Sequence, residues 1–168
     1  MFPFETQAPA ARRAELPRLP APLALPARLV PGWVQRGMAT RILNEVFAEP
    51  LADGWLDFLR GRCVRIRVED LDIGIGLTLQ NGRIAATPPE RPADVSIEGR
   101  LYAFILLLAQ QDDPDTLFFN RQLRFVGDTE LGLEVKNFLA AFEPDARARE
   151  AAQYLYRFAR WASSVLPS

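Results

Sequence analysis

The sequence predicts an α+β fold in which helices cover one face of a five-stranded antiparallel sheet. Short segments in the middle of the chain alternate apolar and polar residues, whereas the segments before and after them repeat apolar residues at helical spacing. Asn81-Gly82 separates two of the alternating segments and predicts a tight hairpin turn. With 168 residues, of which 49% are hydrophobic, the chain has the composition of one ordinary globular domain.

The first 32 residues predict a proline-rich apolar arm ahead of the main domain. Seven of the 14 prolines fall within residues 1–31, which excludes a regular helix there. Leucines recur between the prolines, so the arm either packs along the domain surface or docks on a partner or a membrane surface. We place the domain itself at residues 33–143 and a separate amphipathic helix at 144–168, packed on the domain or docking a partner.

The first helix is predicted over residues 33–48. Val34, Met38, Leu43 and Phe47 lie on one stripe, and Pro50 is expected to end the helix.

Alternation of apolar and polar residues marks the strands. In the first, Val64 and Ile66 alternate with Arg65 and Arg67, which is typical of a strand with one buried face. The predicted strands are 63–69, 72–80, 83–87, 93–99 and 122–126. One face of the sheet is therefore apolar and the other carries arginines, as in antiparallel sheets covered by helices on one side.

Three more helices follow from the pattern. Residues 101–110 are almost all apolar, so this helix is either buried on several sides or forms the wall of an internal cavity. Asp128 is placed to cap the next helix, whose stripe is Leu131, Val135, Phe138, Leu139 and Phe142. Pro144 suits the first position of a last helix that runs to about residue 166, with a stripe of Ala151, Leu155, Phe158, Ala162 and Val165.

The composition excludes most common kinds of catalytic site. The chain has no histidine and one cysteine, Cys63, so no histidine-based triad, internal disulfide, four-cysteine zinc site or self-contained iron–sulfur cluster can form. The only lysine, Lys136, does not follow a glycine, so no Walker A loop is present. A net charge of −1 argues against nucleic-acid binding. We therefore predict no catalytic residue, no metal and no cofactor.

Two acidic groups and one pair of glycines are the remaining candidates for chemistry. The acidic groups are Glu69, Asp70 and Asp72, and Asp112, Asp113 and Asp115. Paired carboxylates can act as acid and base, but aspartates beside proline more often start turns or cap helices. Gly74 and Gly76 lie on one face of a predicted strand, where they leave room for a close neighbour or a ligand.

The chain also carries more large apolar residues than one face of a small sheet needs. An ordinary core explains them, and so does an apolar ligand tunnel, since ligand pockets are lined by such residues with few polar groups. The candidate lipid-binding residues are Phe47, Trp55, Phe58, Phe104, Leu107, Leu117, Phe118, Phe119, Leu131, Val135, Phe138 and Phe142.

Two runs of sequence carry a specific resemblance. Asp-Pro-Asp-Thr-Leu-Phe-Phe-Asn-Arg at 113–121 and Gly-Asp-Thr-Glu-Leu-Gly-Leu-Glu-Val-Lys-Asn at 127–137 resemble the hallmark stretch of the bacterial ubiquinone-biosynthesis accessory factors of the sterol carrier protein type 2 superfamily. Looser similarity extends over about residues 23–142. The strand with Gly74 and Gly76 departs from the bulkier residues of that family. The matching motif positions are Thr116, Leu117, Phe118, Phe119, Leu131, Leu133 and Val135.

The resemblance implies a sterol-carrier-like fold enclosing a hydrophobic lipid tunnel. It also implies a non-catalytic accessory role in oxygen-independent, anaerobic ubiquinone biosynthesis. The protein would bind prenylated ubiquinone precursors or other long-chain lipids and present them to partner iron–sulfur hydroxylases. The alternative is a scaffold that joins biosynthetic enzymes at the membrane surface without carrying lipid.

Two sequence features, the N-terminal segment and the longest uncharged run, bear on the cellular location. The N-terminus has no basic leader, and the uncharged run 101–111 is too short to span a bilayer. We expect a cytoplasmic protein, with peripheral contact with the inner membrane left open.

Overall fold

The computed structural model of the chain describes residues 29–165, apart from the side chains of residues 162, 163 and 165. A short 3-10 turn, Asp57–Leu59, precedes the sheet. The α-helices and strands, in chain order, are α1 (Gly32–Val46), α2 (Ala48–Ala52), β1 (Val64–Val68), β2 (Ile73–Gln80), β3 (Arg83–Ala86), β4 (Val95–Gly99), α3 (Leu101–Leu108), α4 (Pro114–Phe119), β5 (Leu123–Gly127), α5 (Thr129–Ala141) and α6 (Ala146–Val165). The predicted α+β class is confirmed, and residues 1–28 of the predicted arm lie outside the described residues.

The sheet has the strand order β3-β2-β1-β4-β5. Three of its four pairs are antiparallel as predicted, but the β1–β4 pair is parallel, so the sheet is mixed rather than antiparallel throughout. The register explains the difference. Ala86 at the end of β3 pairs with Leu77, which also pairs with Val64 at the start of β1. The chain therefore leaves β3 level with the start of β1, and the connection 87–94 begins β4 there in the same direction.

The two faces of the sheet differ as the alternation predicted. Ile66 pairs with Ile75 on the apolar face, and Arg65 pairs with Gly76 on the opposite face. The hairpin turn between β2 and β3 is also confirmed, because Asn81 and Gly82 have φ values of 51° and 73°. Both positive angles are those that a type I′ turn requires.

The first helix ends earlier than predicted, and Pro50 does not end it. Phe47, with φ −102° and ψ 24°, separates α1 from α2, and Pro50 is the third residue of α2. A proline is tolerated there because the first-turn N–H groups of a helix have no intrahelical acceptor. Asn44 fixes α1 along the edge strand β3: its Nδ2 donates to the Ile84 carbonyl (2.8 Å), and its Oδ1 accepts from the Ile84 N–H (3.0 Å).

Two aspartates define helix starts that differ from the prediction. Asp113 caps the short helix α4, which was not predicted, by accepting a hydrogen bond from the Thr116 N–H at 2.9 Å. The last helix begins at Ala146 rather than at Pro144, because Asp145 accepts from the Ala148 N–H at 2.7 Å and so occupies the cap position.

Asp128 is the predicted cap of α5, and we expect it to make the protein sensitive to acid. Its carboxylate accepts from the Leu131 N–H at 2.9 Å, and this hydrogen bond, assisted by Arg62, lowers the pKa of Asp128 below its ordinary value of 3.8. The stabilisation is present above pH 3.8 and is lost as the pH falls through the lowered pKa.

Asp128→Asn keeps a capping side chain that does not titrate, so it should lose less unfolding free energy than the wild type between neutral and acid pH. Asp128→Ala should be destabilised already at neutral pH. Urea unfolding at both pH values measures this, and an Asn variant with the same acid sensitivity as the wild type would contradict it.

Candidate functional site

Four phenylalanine rings meet between the helices and the apolar face of the sheet. The Phe138 ring on α5 lies 5.3 Å from the Phe47 ring, 5.7 Å from the Phe142 ring and 6.1 Å from the Phe58 ring, measured between centroids. Phe47 and Phe142 are also in edge contact at 4.7 Å. We call these four residues the phenylalanine cluster. It joins the α1–α2 junction, the 3-10 turn and α5, which are distant in sequence.

Ten of the twelve candidate lipid-binding residues belong to the core or pack against it. Five are buried in the core: Leu117, Leu131, Val135, Phe138 and Phe142. Five are half-buried and pack against it: Phe47, Phe58, Phe104, Leu107 and Phe118. The other two lie at the surface, since Trp55 is 51% exposed and Phe119 is 89% exposed.

The apolar face of the sheet is not covered evenly. Val64 and Leu77 are buried, but Ile66 and its partner Ile75, two residues along the same strands, are only half-buried. A residue at the middle of the central strand is normally buried when helices cover that face, so the helical layer leaves this part of β1 and β2 incompletely covered. Ile66 and Ile75 are not among the twelve candidates, although the strand alternation places both on the apolar face.

Members of both acidic groups make ion pairs or hydrogen bonds within the fold. The Arg124 guanidinium lies 2.9 Å from Glu69, and Asp70 Oδ1 accepts from the Leu101 N–H at 2.9 Å. Asp113 accepts hydrogen bonds from the hydroxyl and the N–H of Thr116, and these lower the pKa of Asp113. A carboxyl with a lowered pKa stays ionised at neutral pH and is a poor general acid. Within the described residues, no group of three or more Asp, Glu, Cys or His side chains could hold a metal ion.

Tyr102 on α3 is buried, with its ring 5.9 Å from the Tyr156 ring on α6. Burial, followed by a hydrogen bond with Tyr156, raises the pKa of Tyr102 to about 12. The phenol is therefore protonated at neutral pH. The ring contact and the hydrogen bond between Tyr102 and Tyr156 link α3 to α6.

Gly74 and Gly76 lie on the arginine-bearing face of the sheet, away from the phenylalanine cluster. A side chain at position 76 would overlap the Thr87 hydroxyl and approach Cys63 Sγ to 3.2 Å. Cys63 itself is fully buried, with its sulfur 3.4 Å from the Thr87 hydroxyl. Gly76 thus permits close packing of the connection 87–94 on the sheet.

Comparison with known proteins identifies the family. Residues 40–140 match the family model of the SCP-2 sterol transfer family, from the second half of α1 to the last turn of α5. The chain belongs to the SCP-2 sterol transfer family. The match includes the whole sheet and three of the four rings of the phenylalanine cluster, and it confirms the resemblance read from the sequence.

Proteins similar to this SCP-2 domain include three whose names refer to ubiquinone synthesis. "Ubiquinone biosynthesis accessory factor UbiT" of Escherichia coli (strain K12) is 36% identical over 140 residues, covering 83% of this chain and 80% of its own, and the same protein of Escherichia coli O157:H7 matches equally. The solved structure "UbiJ-SCP2 Ubiquinone synthesis protein" superposes with a TM-score of 0.51 at 16% identity, covering 71% of this chain and 96% of its own. At that identity the likeness concerns the fold.

The lengths of the helices also bear on membrane insertion. Among the helices within residues 29–165, none combines the length and the apolarity needed to cross a bilayer.

Proposed function

We propose that this chain is a non-catalytic lipid-binding accessory factor of ubiquinone biosynthesis. It holds the prenyl tail of a ubiquinone precursor, or another long-chain lipid, against the apolar face of its sheet, and it presents the head group to partner iron–sulfur hydroxylases of the oxygen-independent pathway. The family match and the 36% identity to UbiT over most of the chain support this role.

The observation that carries the proposal is the incompletely covered apolar face at Ile66 and Ile75. These two residues and the half-buried side chains of Phe47, Phe58 and Leu107 all pack against the same hydrophobic core. An apolar chain bound there would finish the burial that the helices leave incomplete. The side chains named here are all apolar, so none of them would lose a hydrogen bond when the chain binds.

The chemistry of the cargo explains why such a site needs no catalytic group. A prenyl tail in water costs about 0.8 kcal/mol per exposed CH₂. Moving the tail into an apolar interior removes this cost without making or breaking a bond. The phenylalanine cluster is suited to that task because its four rings, in edge and stacked contacts, carry no polar group.

Lipid extraction tests the proposal. We expect the purified full chain to carry quinone-like molecules or phospholipids, identified by mass spectrometry of an organic extract. After delipidation it should take up a long-tailed prenyl-4-hydroxybenzoate but not 4-hydroxybenzoate, with affinity falling about fourfold for each CH₂ removed from the tail. A chain that purifies without lipid and takes up no prenyl compound would contradict the carrier function. Assembly with biosynthetic enzymes under those conditions would support the scaffold instead.

A further inference from the structure

The last helix, α6, packs on the domain through two alanines and Tyr156, and it turns four large apolar side chains towards solvent. Ala152 and Ala159 are buried, and α6 packs on α3. In contrast, between 50% and 62% of each large apolar residue on the outer side is exposed. These residues are Tyr154, Leu155, Phe158 and Trp161, and we call them the outer stripe. In an ordinary surface helix the larger residues would face the core. An exposed apolar surface of this kind marks an interaction site.

The charges around the outer stripe favour one kind of partner. Helix α6 carries four arginines and one glutamate, whereas the whole chain has a net charge of −1. Arg157 is exposed and follows Tyr154 by three residues and precedes Trp161 by four, so it borders the stripe. Arg147 is exposed on the same side, two turns before Tyr154. Two arginines therefore border an aromatic and aliphatic centre, and Glu150, exposed between Arg147 and Tyr154, is the one acidic residue of the helix.

We propose that α6 lies in the surface of an anionic lipid bilayer, with the outer stripe at the level of the head groups and Arg147 and Arg157 against lipid phosphates. Helices that lie in the membrane plane combine Trp, Phe and Leu on one face with basic residues beside it. Trp and Tyr favour the membrane–water interface because each pairs an apolar ring with a polar group. Both residue types are present in the stripe.

The position of α6 relates the membrane contact to lipid uptake. This step rests on the proposed carrier function. Helix α6 packs on α3, and α3 contributes Phe104 and Leu107 to the half-buried apolar surface. Docking through α6 would bring the lipid-binding site within one helix layer of the bilayer. A prenyl tail then has a short path from membrane to protein.

Vesicle flotation of the full chain tests the proposal. The wild type is expected to bind phosphatidylcholine vesicles that contain phosphatidylglycerol, and to bind pure phosphatidylcholine vesicles weakly. The double variant Leu155→Ser, Phe158→Ser should bind the anionic vesicles at least about tenfold more weakly. Arg147→Gln and Arg157→Gln should each weaken binding about fivefold, and added salt should weaken the wild type in the same way.

The matched control is Met38→Ser, Ile42→Ser on α1, where the residues are 58% and 53% exposed. It removes equivalent surface apolarity elsewhere and should leave vesicle binding unchanged. Circular dichroism verifies that every variant is folded. A wild type that binds neither vesicle, or a control that loses as much binding as the stripe variant, would overturn the proposal. So would a dimer by light scattering that the stripe variant dissociates while vesicles remain unbound, which would assign the stripe to a second copy of the chain.

Retained lipid is measured in the same preparations. Vesicle binding without retained or acquired lipid would leave the membrane contact standing and reject the carrier function. Lipid retention without vesicle binding would support the carrier function and reject the membrane contact.

Discussion

Phe138→Arg is expected to abolish lipid retention and to lower the unfolding free energy by several kcal/mol. Phe138 is 8% exposed, and its ring contacts Phe47, Phe58 and Phe142. A guanidinium at this position would lose its hydration, and the three surrounding rings offer it no carboxylate. Lipid per mole of protein after extraction, together with urea unfolding, measures both effects.

Leu107→Arg separates the two effects. Leu107 is half-buried, so the arginine head can reach water while it places a charge on the apolar surface that we assign to the lipid. This variant should remain folded and lose retention. Leu133→Arg is the matched control, because Leu133 is 55% exposed on α5 and an arginine there stays outside the cluster. Phe138→Leu keeps an apolar side chain at this position. It should therefore change the unfolding free energy and the lipid per mole of protein much less than Phe138→Arg does. Folded Leu107→Arg protein that carries as much lipid as the wild type would contradict the assignment of this surface.

How far the sequence predicts the site depends on whether a signal is local. The α5 stripe is periodic, and its members Leu131, Val135 and Phe138 are all buried, as expected. Hydrophobicity alone cannot distinguish a residue that packs inwards from one that does not, and this is why Trp55 and Phe119 joined the candidates although both are exposed. Their direction is set by short segments, a turn after α2 and the end of α4, for which a period cannot be read.

Boundaries and strand directions depend on contacts between distant residues. The break at Phe47 coincides with its contacts to Phe138 and Phe142, which lie some ninety residues away in the chain. The parallel β1–β4 pair follows from where β3 ends, and that depends on the register of β2 with two neighbours at once. The alternation predicts each strand and its faces, whereas the order and direction of the strands require the assembled sheet.

The outer stripe shows the same distinction in α6. The sequence predicts the amphipathic helix and its stripe of Leu155 and Phe158, but both sides of α6 contain apolar residues. Alanines permit a closer approach to α3 than Leu or Phe would, and in the structure the alanine side is the buried one. Of the predicted stripe, the side chains at 162 and 165 lie outside the described residues.

Gly127→Ala is expected to have the second large effect, about 2 to 4 kcal/mol of destabilisation. Gly127 has a φ of 122°, and a Cβ there would overlap the Asp94 carbonyl oxygen and approach Val95 Cα to 3.1 Å. That carbonyl cannot move away freely, because it accepts a hydrogen bond from the Asp128 N–H at 2.8 Å, and the Asp94 side chain accepts from the Cys63 N–H at 2.6 Å. The substitution therefore displaces the start of α5, and with it the phenylalanine cluster, so lipid retention should fall as well.

Substitutions at two other glycines separate the cost of the positive φ at Gly127 from the cost of the steric overlap there. Gly82 has a φ of 73°, but a methyl group added there would meet nothing within 4 Å, so Gly82→Ala carries only the backbone cost, about 1 kcal/mol. Gly37 lies within α1, also with nothing within 4 Å, so Gly37→Ala should stabilise the protein by up to about 1 kcal/mol. Urea unfolding ranks the three variants. If Gly127→Ala cost no more than Gly82→Ala, the close approach of β4 to the start of α5 would not constrain this residue, and the link between that junction and the lipid site would be rejected.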